Sequence, residues 1–179
     1  MGKMLNLLNE GDRRTIGRVA DASCMAIGNV VHIGELVELM SYGDPAVRMR
    51  AADALEKATV QQQNLLIPHK EHLLDLIETA TQNEVRWHLA PILTRLDLHS
   101  DEIEELAETF SRWFRRADSR IVRTAALQGM ADLAFRDARL IVEALDMTEE
   151  ALSSPIPALK ARARKLKGPL ERLQAAGQD

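Results

Sequence analysis

The stretch "GDPAVRMRAADAL", residues 43–55, decides the fold. Asp44 followed by Pro45 reads as a helix N-cap with proline at the first helical position, where its missing N–H removes no hydrogen bond. Beyond it, Val47, Ala51, Ala54, Leu55 and Ala58 fall on one side of a helix with 3.6 residues per turn. Looser versions return as "NEVRWHLAPIL" at 83–93 and "SRIVRTAAL" at 119–127. Aligned on their Val-Arg pairs, the copies start at Val47, Val85 and Val122, 38 and 37 residues apart. One more step of 37 reaches "PALKARAR", where Leu159 and Lys160 take the Val-Arg slot. Ala51, Leu89, Ala126 and Ala163 then share a slot, and Leu55, Leu93 and Met130 share another. Four copies at near-constant spacing indicate a repeated structural unit.

The intervening segments also have helical periodicity, with no sustained alternation of the kind a strand requires. In "DEIEELAETFSRWFRR", Ile103, Leu106, Ala107, Phe110, Trp113 and Phe114 form one apolar stripe. Shorter stripes are Ile33, Leu36, Val37 and Met40; Leu73, Leu76, Ile77 and Ala80; and Leu140, Ile141, Ala144 and Leu145. Breaks fall at "YGDP", "QN", "HSD", "ADS" and "SSP", and Ser154 with Pro155 reads as another N-cap and first-turn proline. Connections this short make consecutive helices antiparallel neighbours. The expected organisation is a single domain, 1–179. Residues 1–30 form a degenerate cap around "RRTIGRVADASCMAIG", followed by helix pairs at 31–60, 68–98, 101–135 and 137–175.

Asp, Val and Arg at the head of each second helix resemble HEAT repeats, within the HEAT/armadillo group, over about residues 30–168. "DPAVR" is the full form, and "NEVR", "SRIVR" and "PALK" are weaker ones. The resemblance implies an all-α, right-handed superhelical solenoid of about four helix pairs plus an N-terminal capping helix. Its second helices would line a concave face. The Trp-Leu-Gly signature of tetratricopeptide repeats and the Thr-Pro-Leu-His of ankyrin repeats are absent.

Composition narrows the function. The net charge of −4 gives no overall attraction to nucleic acid or anionic membranes, so any such binding needs a local patch. No run approaches a membrane span and the first residues lack a signal-peptide pattern, so the expectation is a cytoplasmic protein with no membrane partner. The single cysteine, Cys24, has no basic neighbour in sequence and is expected to be a buried structural thiol.

The helical wheel of the second helices places Met49, Asp53 and Glu56 outward, then Trp87, Pro91 and Thr94, then Thr124 and Gln128, then Ala161 and Lys165. From these, Met49, Asp53, Trp87, Pro91, Gln128 and Lys165 are the candidate contacts for another protein or peptide. The competing reading packs Trp87 sideways between repeats. Pro91 lacks the amide that would bond the Trp87 carbonyl, so a kink or a free carbonyl is expected. The alternative function is nucleic-acid binding through Arg112, Arg115, Arg116, Arg120 and Arg123, interleaved with Trp113 and Phe114. Against it, "DEIEELAE" at the start of that helix and arginines at its end are what the helix dipole favours.

No enzyme motif is present, and neither cofactor nor metal is expected. His69 and His72 lie i, i+3 near a helix start, but Glu71 points to another face, while His32, His88 and His99 are each isolated in sequence. HEAT-like hydroxylases hold two irons with His-Glu dipeptides, and none occurs here. The functional constellation of HEAT-like DNA glycosylases does not map onto this chain. The reading is a non-catalytic interaction or scaffold module.

Overall fold

The structure is a computed structural model that describes residues 2–10, 15 and 17–177. It is all-α, with ten α-helices, two short 3₁₀ segments and no strand among the described residues. The chain forms two compact units, Met1–Asp97 and Leu98–Asp179.

The first unit contains α1 (Lys3–Leu8), α2 (Val19–Ala26), α3 (Val30–Leu39), α4 (Pro45–Ala58), a 3₁₀ segment (Gln63–His69), α5 (Lys70–Thr79) and α6 (Asn83–Leu93). Helix α4 is its hub and packs against α1, α2, α3 and α6. The N-terminal helix expected over 13–28 is shorter, beginning at Val19; Arg13, Arg14 and Ile16 of that reading lie outside the described residues. The second unit contains α7 (Ser100–Arg116), α8 (Arg120–Ala134), a 3₁₀ turn (Ala138–Leu140), α9 (Ile141–Ser153) and α10 (Pro157–Ala176). Here α7 packs on α8, α9 packs on α10, and α8 also packs on α10.

The repeat slots are core slots. Val47, Val85, Val122 and Leu159 are each no more than 1% exposed; the next slot down is fully buried in all four helices, and the one after it in α4, α6 and α8, whereas α10 has Lys167 there. Burial of each Val or Leu is worth about 1.5–3 kcal/mol. The stripe of α7 from Ile103 to Phe114 is likewise buried.

The arginine of each Val-Arg pair has a specific task. A helix leaves its last carbonyls without intrahelical donors. Arg48 Nη1 donates to the carbonyls of Tyr42 (2.8 Å) and Gly43 (3.2 Å), in the turn after α3. Arg86 Nε donates to the carbonyl of Ala80, the residue closing α5 (2.7 Å), and Arg123 Nε to that of Phe114, in the last turn of α7 (2.7 Å). Each arginine thus ties the start of a second helix to the end of the first. A charge-assisted bond of this kind contributes about 1.5–3 kcal/mol.

Helix starts follow their caps. The Asp44 side chain accepts from Ala46 N–H (2.7 Å) with Pro45 in the first turn, Ser119 accepts from Val122 N–H (3.4 Å), and His99 with Glu102 forms a capping box. The Ser154–Pro155 reading is corrected: α10 begins at Pro157, with Ile156 as its N-cap. A residue before proline is driven to extended backbone, and both Ser154 (ψ 146°) and Ile156 (ψ 113°) are extended. The Ser154 hydroxyl accepts from Ile156 N–H (3.2 Å) instead of capping a helix. Pro91 sits inside α6, which runs two residues further to Leu93; the Pro91 carbonyl accepts from the Thr94 hydroxyl (3.2 Å).

Two glycines answer to geometry. Gly28 follows α2 with φ +71°, a conformation other residues rarely adopt, and donates its N–H to Gln62 Oε1 (2.7 Å). Gly129, in mid-α8, lets α7 approach: a Cβ there would lie 2.5 Å from Phe110 Cε2.

Candidate functional site

In the first unit the outward face of α4 and α6 carries four of the candidate contacts. Met49 and Trp87 occupy the same slot of two helices that pack together, and both are half-buried, as is Pro91. The Trp87 ring lies 5.7 Å from the His88 ring at 60°. Asp53 corrects its expected position. It is buried, at 7% exposure, because α4 is packed on several sides and the shorter Asp side chain does not clear its neighbours. Lys57, one turn further on, bonds Asp53 Oδ1 from the solvent side (2.7 Å).

Beside Asp53, Glu56 Oε2 meets His88 Nδ1 at 2.5 Å. Among the described residues, Asp53, Glu56 and His88 are a group whose ligand atoms all lie within 4.8 Å of one another. Sequence reading placed His88 alone, since its partner is 32 residues away. The usable signal was the repeat register: His88 stands three residues after Val85, as Arg50 stands three after Val47, and both reach back to an earlier helix, α4 and α1 respectively. The backbone carrying Glu56 is itself held, since Arg95 Nη1 donates to the Glu56 carbonyl (2.6 Å) and to the buried Thr59 hydroxyl (3.0 Å).

The remaining histidines differ. His32 Nδ1 and His69 Nε2 are buried without hydrogen-bond partners. Burial pushes the His69 pKa below the usual histidine value, with help from the charge of His72 and opposition from Glu38. A polar cavity of about 300 Å³ between the α3–α4 and α5–α6 turns is lined by Arg48, Gln82, Ser41 and Thr79. Arg48 Nε there donates to Gln82 Oε1 (2.9 Å), and Gln82 Nε2 to the Pro45 carbonyl (2.9 Å). Cys24, expected buried, is exposed, because it sits on the face of α2 opposite Ala22, Ser23 and Ala26.

In the second unit, Gln128 is half-buried in a network: its Nε2 donates to Asp132 Oδ1 and its Oε1 accepts from Arg162 Nη1, both at 2.7 Å. Lys165 is exposed. The five arginines are not equivalent. Arg115 bonds Ser111 and pairs with Glu143 (3.5 Å) and Glu150 (3.7 Å), while Arg112 bonds Thr109 (3.2 Å). Arg123 is held by the Phe114 carbonyl and lies 5.7 Å over its ring. Arg116 and Arg120 are exposed. Trp113 and Phe114, between them in sequence, are buried and present no face on which a base could stack.

No family model matches the chain, and no curated protein matches it. Among solved structures it is similar to a crystal structure described as an engineered protein, at 18% identity over 96% of each chain, with a TM-score of 0.41. No helix among the described residues is long and apolar enough to cross a membrane.

Proposed function

We propose that the chain is a HEAT-like helical-repeat module, a right-handed stack of helix pairs, that binds another protein through the outward face of its second helices and catalyses no reaction. The carrying observation is that Met49 and Trp87 occupy one slot of packed α4 and α6, both half-buried with part of each side chain at the surface, next to Pro91. Large side chains on a rigid helical surface are what anchor partners at interfaces. Burial of Trp113 and Phe114, and the engagement of Arg112, Arg115 and Arg123 in structural bonds, favour this reading over nucleic acid.

The test is capture from native lysate with Met49→Ala/Trp87→Ala beside the parent chain, read by mass spectrometry, with circular dichroism to establish that both are folded. The expected result is a defined partner retained by the parent and lost by the double variant. An identical set of captured proteins would mean that this face is not the binding surface.

A further inference from the structure

Asp53, Glu56 and His88 bring polar side chains together from two packed helices, and their arrangement has chemistry of its own. Asp53 and Glu56 are three residues apart on α4 and so project from the same side of it. His88 comes from α6, which packs on α4. One imidazole nitrogen and two carboxylates thus converge from two helices, within 4.8 Å of each other. The side chains are well shielded, with exposures of 10% for Asp53, 29% for Glu56 and 16% for His88. This is not the solvated surface on which acidic residues commonly cluster.

The charges are not balanced inside the group. Two carboxylates face one imidazole, and Lys57 bonds only Asp53 Oδ1, from a side chain that is half-exposed. The short Glu56–His88 contact requires a proton between oxygen and nitrogen. A bound dication would take the place of that proton, which moves to Nε2 as the imidazole changes tautomer, and Lys57 is free to swing into solvent. A nitrogen donor with two carboxylates suits zinc and its neighbours better than magnesium or calcium, which prefer all-oxygen sets. Donors around a tetrahedral zinc stand about 3.3 Å apart for bonds of about 2.0–2.1 Å. Binding requires side-chain rotations that open the Glu56–His88 pair from 2.5 Å and draw in Asp53 from within 4.8 Å.

We infer that Asp53, Glu56 and His88 form a binding site for a divalent transition metal of the zinc class, which staples α4 to α6. The protein supplies three donors and water completes the shell. The Trp87 ring against His88 and the hold of Arg95 on the Glu56 carbonyl limit the freedom of two of the three ligands. The site does not depend on the partner-binding reading, since its ligands are contained within α4 and α6.

The experiment uses the full chain carrying Cys24→Ser, which removes the exposed thiol, stripped with chelator and titrated with zinc chloride by calorimetry near neutral pH. One equivalent should bind at micromolar or lower Kd, weaken as pH falls, and raise Tm. His88→Ala should weaken binding tenfold or more, Asp53→Asn should do so without change of side-chain size, and His72→Ala should have no effect. Cobalt(II) in place of zinc should give visible d–d absorption that His88→Ala abolishes. Absence of stoichiometric binding by the parent chain would overturn the site. So would binding that survives both His88→Ala and Asp53→Asn, or that disappears with His72→Ala. If His88→Ala does not fold, Asp53→Asn and the cobalt spectrum decide.

Discussion

Three residues after the repeat hydrophobe, the first unit carries Arg50 and His88, whereas the second carries Ala125 and Arg162. Arg50 is 1% exposed, and its guanidinium donates to the carbonyls of Leu8 (2.7 Å), Glu10 (3.1 Å) and Thr15 (3.1 Å). It ties Leu8 and Glu10, at and after the end of α1, and Thr15 to α4 through a buried charge. Arg162, in the same slot, makes one part-buried bond to Gln128. The apolar slots are interchangeable in burial across both units; this polar slot is where they diverge. A repeat register therefore fixes where the core lies, while one polar position per copy sets what each copy is fastened to.

The sharpest way to break that contrast is to remove both arginines separately. Arg50→Ala should cost about 3 kcal/mol or more in urea unfolding, because several carbonyls lose a charged donor in a buried setting. Arg162→Ala should cost below about 1 kcal/mol, since its site is reached by water. Equal losses would mean that the slot is fastened alike in the two units.

The next test concerns close approach. Seven residues after the repeat hydrophobe the first unit has Ala54 and Ile92, both buried, while α8 has Gly129 against Phe110. Gly129→Ala should destabilise by about 2 kcal/mol despite the better helix propensity of alanine, because the Phe110 ring must move. A neutral or stabilising result in thermal unfolding would show that α7 and α8 can separate freely.

The smallest effect is in pH. The His69 pKa is lowered mainly by burial, so the unfolded chain takes up the proton more readily than the folded one. Stability from this group is complete above 6.5, the ordinary histidine value, and is lost as pH falls below it. The second unit has a single histidine, the exposed His99, so the step belongs to the first. His69→Gln should flatten the denaturation midpoint between pH 7.5 and 5.5, and a slope unchanged by that substitution would assign the dependence elsewhere.

Much of the core was legible because it depends on local periodicity. Val47, Leu89, Met130 and Leu159 are buried where the register puts them. What failed depended on neighbours. Asp53 lies on the polar side of its own wheel, yet the packing around α4 encloses it. Cys24 has an apolar surrounding in sequence but an open one in space. Ser154 lost the capping role because the second of two prolines sets the helix start. The Glu56–His88 contact was hidden because its two halves lie in different repeats, each unremarkable alone.

The arginines that close each turn also bear on how such a chain can change in length. Arg48, Arg86 and Arg123 each bond a carbonyl of their own helix pair, and Arg48 also reaches the next pair through Nε to Gln82. A pair fastened from inside is a portable piece. Cutting and joining between pairs leaves each arginine–carbonyl tie intact, so growth or loss in steps of 37 or 38 residues disturbs the contacts between pairs, the Arg48–Gln82 bond among them. By contrast, a cut inside a pair would strand an arginine from its carbonyl, and with it the turn that the arginine closes.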